Sequence, residues 1–162
     1  MLRSSLRIAA LTALLGTAAI ASAQTPDVPF PKGWRDWHHV KSMTINPGHP
    51  LYESFGGIHH LYANPKAVQG YKSGRFPDGA VIAFDLLEAK SADNAVVEGE
   101  RKVLGVMVRD AKRYAATGGW GYEGFKGGDP AQRVVRGNAA TACHACHAQQ
   151  KDKGYVFSQL RP

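Results

Sequence analysis

The position of the two cysteines constrains this chain more than any other feature. Both lie within its last twenty residues, as Cys143 and Cys146, and His147 follows the second directly in the stretch CHACH. This is C-x-x-C-H, the pattern of covalent haem c attachment, in which two thiols reach two vinyl groups of one porphyrin and the histidine turns its imidazole to the iron. We therefore predict one haem c, bound by Cys143 and Cys146, with His147 as the metal ligand.

Two other uses of the same cysteines remain open at this point. A Cys143–Cys146 disulfide would resemble a thioredoxin-type redox pair, although no βαβ pattern surrounds it. A structural zinc site would need two further ligands at regular spacing, and the sequence has no other cysteine. His144, inside the motif, is expected to face solvent.

The first 23 residues have the pattern of an export signal. Arg3 and Arg7 precede an apolar run over residues 8–20, and Ala21-Ser22-Ala23 is a small-x-small cleavage site. The run is too short for a permanent membrane helix, which leaves a retained anchor as the alternative. We predict removal of residues 1–23, a periplasmic protein of residues 24–162 forming one domain, and no membrane association.

The charge pattern argues against nucleic-acid binding. The formal net charge is +7, but the basic residues are scattered rather than interleaved with aromatic side chains. Such a surface fits either an acidic protein partner or simple solubility.

Hydrophobic patterning places strands in the middle of the chain and helices at its edges. Asn64 before Pro65 predicts a capped helix that ends at Ser73-Gly74, and Phe76-Pro77-Asp78-Gly79 predicts a turn. The expected strands cover residues 56–64, 80–89, 102–110 and 118–125, and the expected helices a short stretch through Trp34 and Trp37, residues 65–71, and residues 138–151. The predicted fold class is α+β: an antiparallel sheet core with flanking helices and a C-terminal haem-attachment helix.

Function depends on the sixth iron position. No methionine or histidine follows His147, so a second protein ligand would have to come from upstream. The candidates are Met43, Met107 and the pair His59 and His60, which occupy opposite faces of a predicted strand. The long amphipathic helices of a four-helix-bundle cytochrome are missing from residues 54–126.

Four stretches resemble the cytochrome P-460 family, which consists of β-sheet monohaem c-type cytochromes of the bacterial periplasm. They are WRDWHHV, LYANPKAVQGYKSGRFPDG, VRDAKRYAATGGWGYEGF and TACHACHAQQKDKGYVFSQ, which together span nearly all of the chain after the signal. Only C-x-x-C-H and F-P-D-G are distinctive individually; their order and spacing carry the resemblance.

The resemblance implies one of two functional branches. Hydroxylamine-oxidising members have a lysine cross-linked to the porphyrin, a distal glutamate and a nearby arginine. At these places the present sequence has Phe84, Gly105 or a neighbour, and His59, so that neither cross-link nor proton-accepting carboxylate is expected. It is more similar to the cytochrome c′-beta branch, which implies a homodimer with five-coordinate haem under a phenylalanine cap, here Phe84 and Phe55.

If Phe84 faces the haem, strand alternation places Ile82 and Leu86 on the same side. Such an apolar wall favours nitric oxide and carbon monoxide, because water and anions lose hydrogen bonds there and bound dioxygen finds no donor. We therefore expect a gas-binding haem protein rather than an enzyme. The alternatives are an electron-transfer cytochrome that serves a redox protein partner and a hydroxylamine oxidase or peroxidase-like enzyme with His59 as distal base.

Overall fold

The computed structural model describes residues 27–162, so the predicted signal segment lies outside the described residues. Five antiparallel strands form one sheet in the order β1-β2-β3-β4-β5, in which each strand pairs with its neighbour in sequence. The strands are β1 His38–Ile45, β2 Gly57–Ala63, β3 Val81–Ala92, β4 Ala95–Arg109 and β5 Trp120–Lys126. The predicted α+β class with an antiparallel sheet is confirmed.

Short helices connect and flank these strands. The α-helices are α1 Tyr52–Phe55, α2 Pro65–Ser73 and α3 Ala145–His147, and 3-10 helices cover Trp34–Asp36, Ala115–Thr117 and Ala148–Lys153. Ala140–His144 forms a π-helical stretch directly before α3. The three consecutive pieces from Ala140 to Lys153, which we call the C-terminal helical segment, contain both cysteines and confirm the predicted terminal helix.

Local sequence explains the ends of α2. The Asn64 side chain accepts a hydrogen bond from the Ala67 amide, Pro65 occupies the first helical position, and Gly74 ends the helix with φ 74°. Asn64 also donates to the Gly79 carbonyl at 2.9 Å and accepts from the Val81 amide at 3.0 Å, so one side chain joins the helix start to β3.

Two predictions of local structure need correction. The stretch after Trp34 is helical only through Asp36, and His38–Ile45 pairs with β2 as an edge strand. Its backbone pairs with β2 and its Val40 side chain is buried in the core, which outweighs the local helical pattern. Strands β3 and β4 also extend further than expected, into a hairpin turned by Asp93 and Asn94, both with positive φ. Two such residues form the tight turn that suits twisted antiparallel strands.

Both faces of the sheet are covered, which leaves two apolar cores. We call the side with Ala63, Ile82, Met107 and Tyr122 the front face; α2 and the C-terminal helical segment with its flanking residues pack on it. The back face carries Ala83, Leu104, Val106 and Phe125 and packs against the N-terminal residues Val28 and Trp34 and against Tyr114. The fold therefore brings the C-x-x-C-H motif to the front face.

No helix within residues 27–162 is long and apolar enough to cross a membrane.

Candidate haem site

A buried carboxylate holds the residues that lead into the C-terminal helical segment. Glu123 of β5 is only 5% exposed, and its Oε1 accepts hydrogen bonds of 2.8 Å from the amides of Gly124 and Val135. Arg133 donates to Oε2 at 3.4 Å. Because Val135 lies a few residues before the first cysteine, these bonds fix the segment against the edge of the sheet.

The two cysteines are unpaired and differ in burial. Cys143 packs against the front-face core, whereas Cys146 is exposed. Burial raises the pKa of the Cys143 thiol to about 11, so this side chain is a neutral thiol rather than a thiolate. The disulfide alternative gains no support, since the two thiols are not joined. The zinc alternative gains none either, since residues 27–162 contain no group of three or more histidine, cysteine or acidic side chains that could hold a metal ion.

The imidazole of His147 is oriented by a backbone carbonyl. Its Nδ1 donates a hydrogen bond of 2.8 Å to the Tyr155 oxygen, which places the proton on Nδ1 and leaves the lone pair on Nε2. Burial also lowers the pKa of His147, favouring the neutral ring. A neutral histidine whose second nitrogen is held by a carbonyl is the form that coordinates a metal through Nε2.

The carbonyl that orients His147 belongs to an unusual turn. Gly154 and Tyr155 both have left-handed φ values, 68° and 67°, which for tyrosine carries a steric cost. The indole of Trp120 holds this turn by donating to the Gly154 oxygen at 2.9 Å. Gly118 admits the Tyr155 ring, since a Cβ at Gly118 would stand 2.5 Å from the ring. The turn is therefore held by contacts from the β5 end of the sheet.

Two buried polar atoms beside His147 have no hydrogen-bond partner within residues 27–162: the Tyr122 hydroxyl and Nδ1 of His144. The Tyr122 ring lies 5.0 Å from the His147 ring and 6.1 Å from that of His144. The expectation that His144 faces solvent is wrong: its ring is half-buried and also lies 5.4 Å from Tyr155. The ring turns inward because its position on the helical segment faces Tyr122 and Tyr155.

The fold brings together the three other predicted cofactor-contacting residues. The ring of Phe84 lies 4.8 Å from that of His59 and 6.1 Å from that of Phe55, both edge to face. His59 pairs with Leu86 in the sheet register and Phe84 with Leu61, so His59, Leu61, Phe84 and Leu86 lie on the front face together with Ile82. The front face thus has an aromatic cluster on β2 and β3, two residues along β3 from the row that contains Tyr122.

Gly105 leaves room for the ring of Phe84. The two residues pair across β3 and β4, and a Cβ on Gly105 would stand 3.1 Å from Phe84 Cδ1. The front-face neighbours of Gly105 along its strand are Val103 and Met107, by strand alternation. None of these positions holds a carboxylate.

Two side chains hold the turn that carries Phe55. Nε2 of His59 donates to the Phe55 carbonyl, and Lys102 Nζ donates to the Gly56 carbonyl at 2.8 Å. His59 is almost fully buried, and burial, the largest cause, lowers its pKa. Since a carbonyl only accepts hydrogen bonds, Nε2 of His59 carries the proton and is committed to this contact.

The other ligand candidates lie elsewhere. His60 is on the back face, where its two ring nitrogens contact Ser42 and Glu98. Met43 is 48% exposed on the edge strand β1. Met107 is on the front face but pairs with Tyr122 and packs against the core at the His147 end.

Several residues of the site went unrecognised in the sequence. Trp120, Tyr155 and Lys102 act through backbone carbonyls, which leave no side-chain motif behind. The sequence does carry glycines directly before two of these residues: Gly118-Gly119 before Trp120, and Gly154 before Tyr155. Glycines beside aromatic residues often mark a close approach of rings and backbone, so they are the signal that could have identified these positions.

Comparison with known proteins supports a haem assignment for this geometry. A family model described as Cytochrome P460 matches residues 31–158, nearly the whole described chain. No curated protein matches. The donor set fits haem c: two thiols on one helical segment, an imidazole with a free Nε2 within residues 27–162, and an apolar sheet face beside it.

Proposed function

This chain belongs to the cytochrome P460 family, and on that basis we propose an exported haem c protein that binds nitric oxide or carbon monoxide at an open iron position. One observation carries the proposal: Phe55, Phe84 and His59 form a single ring cluster on the sheet face that also receives His147. An aromatic cluster in that place supports an apolar pocket over the iron.

The proximal side of the proposed site consists of the C-terminal helical segment. Cys143 and Cys146 would hold the haem covalently, and His147 would bind its iron through Nε2. When bound, the haem supplies an iron that takes up a diatomic ligand. The hydrogen bond from Nδ1 to the Tyr155 carbonyl increases the basicity of the ring and fixes its orientation.

The distal side would select ligands by desolvation. Ile82, Phe84 and Leu86 alternate with back-face residues along β3 and so lie on the front face. The N–H of His59 Nε2 is donated to the Phe55 carbonyl, so it is not available to a bound ligand. A polar ligand that enters such a site loses hydrogen bonds to water without replacement, at a cost of about 1–3 kcal/mol. Nitric oxide and carbon monoxide lose little, so we infer that they are preferred over water, anions and dioxygen.

The enzyme alternatives receive less support from the same residues. Front-face positions of β2 to β5 near Phe84 carry no carboxylate, and Phe84 and Gly105 stand where the hydroxylamine-oxidising branch is expected to have its lysine and glutamate. A peroxidase-like base would need an unprotonated nitrogen facing the iron; because Nε2 of His59 donates its proton to Phe55, only Nδ1 of that ring could take the role.

An electron-transfer cytochrome with a sixth protein ligand is also less consistent with these contacts. His60 lies on the opposite face of the sheet, and Met107 belongs to the row beside Tyr122, at the end that receives His147. A distal ligand must approach from the other side of the haem.

Location and assembly extend the proposal. We propose export to the periplasm because of the signal pattern in residues 1–23, and a homodimer because the cytochrome c′-beta resemblance implies one. A redox protein partner would keep the iron ferrous, the state that binds carbon monoxide.

The test is optical and mass spectrometry on the protein purified from the periplasm. We expect the mass of one haem on the mature chain, a five-coordinate high-spin ferrous spectrum, and spectral change with nitric oxide and carbon monoxide. A sharp low-spin ferrous spectrum would instead show a protein ligand on the far side of the iron. Absence of the haem mass would overturn the whole proposal.

A further inference from the structure

A second group of ligand-type side chains lies on the back face of the sheet, away from the haem site. His39 and Ser42 of β1, His60 of β2 and Glu98 of β4 form a continuous contact chain. Nε2 of His39 lies 2.9 Å from Ser42 Oγ, and Nδ1 of His60 lies 2.6 Å from the same oxygen. Nε2 of His60 lies 2.6 Å from Glu98 Oε1.

The hydrogen bonds of this chain have one direction. Arg161 contacts Nδ1 of His39, and because a guanidinium only donates, Nδ1 accepts and Nε2 of His39 donates to Ser42. The Ser42 hydroxyl then donates to Nδ1 of His60, whose Nε2 donates to Glu98. His39 and His60 therefore each have one nitrogen turned to Ser42 Oγ.

We propose that His39 and His60 form a binding site for a borderline divalent transition-metal ion such as Zn²⁺, located between Nε2 of His39 and Nδ1 of His60. The two ring centroids are 5.9 Å apart. A metal bound at about 2.0–2.1 Å from each nitrogen places the centres of two imidazole ligands about 5–6 Å apart, which matches this spacing.

The rest of the ligand sphere follows from the same contacts. Ser42 Oγ lies between the two nitrogens, at 2.9 and 2.6 Å from them, so its hydroxyl must rotate aside for the ion to bind. The two imidazoles then supply the protein ligands, and water completes the coordination. Glu98 accepts the proton of Nε2 of His60 at 2.6 Å. A carboxylate behind a metal-binding histidine orients the ring and raises its basicity, and its loss costs about 10–100-fold in affinity.

Arg161 opposes the ion. Its guanidinium donates to Nδ1 of His39, which keeps the proton of that ring on Nε2, the nitrogen that must bind the metal. Binding therefore requires Arg161 to leave His39, so that the proton moves to Nδ1. The positive charge of Arg161 also repels a cation. Because Arg161 is exposed near the chain end, its departure disturbs no core packing.

The test is calorimetric titration of the haem-loaded protein with Zn²⁺, since the haem thioethers leave no cysteine thiols to compete. We expect one Zn²⁺ per chain. His60→Gln and, independently, His39→Gln should each weaken binding at least ~10-fold, and Glu98→Gln about 10-fold or more. Arg161→Gln should strengthen it.

The matched control is His38→Gln, which alters the neighbouring, exposed histidine on the other side of β1 and should leave binding unchanged. Circular dichroism establishes that each variant is folded, and either histidine variant suffices if the other is not. Zn²⁺ binding that is unchanged in either folded variant, His39→Gln or His60→Gln, or that falls equally in His38→Gln, overturns the proposal. So does the absence of any binding to the unaltered protein.

Discussion

The two sides of the proposed haem site are built differently. On the proximal side, His147 is held by the Tyr155 carbonyl, whose turn is held by the Trp120 indole, and Trp120 is only 1% exposed. On the distal side, Phe84 is half-buried and Phe55 is 40% exposed. The first is fixed by directed hydrogen bonds to a buried scaffold, and the second by ring contacts and by bonds to one short turn.

This difference matches what each side is proposed to do. A permanent metal ligand benefits from a single orientation, which directed hydrogen bonds provide. A pocket that admits and releases a gas needs side chains that move aside at little cost. Phe55, partly exposed at the end of a short helix, meets that need, and Phe84 on β3 is only half-buried. The comparison therefore predicts that substitutions on the proximal side alter the orientation of His147 and the stability of the fold. Substitutions on the distal side should alter the access of small molecules to the iron.

Trp120→Phe should have the largest effect. It removes the hydrogen bond to Gly154 and part of a buried ring, which should lower the free energy of unfolding by about 2–4 kcal/mol. The iron–histidine stretching band in the ferrous Raman spectrum should shift, because the Tyr155 carbonyl is no longer fixed. Trp37→Phe, on the back face, is the control and should leave the band unchanged; equal bands in all three proteins would contradict the proximal role of Trp120.

Phe84→Ala should open the distal side. Without the ring, water and anions keep hydrogen bonds in the pocket, so ferric azide affinity should rise by about 10–100-fold, corresponding to roughly 1–3 kcal/mol of recovered solvation. Titration of the ferric protein with azide measures this. Phe76→Ala removes a front-face ring that contacts Trp120 rather than His59 and should not admit azide. An unchanged azide affinity in Phe84→Ala would rule out the cap.

The pH dependence of stability should report on His59. Its pKa is lowered from 6.5 in the folded protein, so the unfolded chain binds the proton more tightly and stability is lost as pH falls below that value. Urea unfolding from about pH 7 to about pH 5 should show a decline in the free energy of unfolding that is shallower in His59→Gln than in the wild type. His39→Gln provides the comparison, since burial also lowers the pKa of His39. A pH profile of stability that is identical in the wild type and His59→Gln would show that His59 does not cause the decline.

Lys102→Met should have the smallest effect. It removes the hydrogen bond to Gly56, which contributes about 0.5–1.5 kcal/mol to holding the Phe55 turn. Carbon monoxide should therefore associate slightly faster after flash photolysis, with little change in overall stability. Lys126→Met, at the exposed end of β5, serves as the control. A slower association would indicate that the turn does not limit access.

Sequence is most informative where chemistry depends on short spacing. The motif of Cys143, Cys146 and His147 is visible because its members are near neighbours along the chain, and the limits of α2 follow from Asn64, Pro65 and Gly74. It is least informative where partners are distant in sequence. Strand β1 was not expected because an edge strand is stabilised by its neighbour β2 rather than by its own pattern.

The sequence by itself determined the haem motif, the antiparallel class of the sheet and the alternation that sends His59 and His60 to opposite faces, because these follow from local geometry. Only the tertiary structure decided that Phe55 meets Phe84, that Trp120 supports the turn behind His147, and that His144 is packed inward. Those contacts join residues far apart in the chain, and their geometry depends on register and on backbone carbonyls, which no side-chain pattern records.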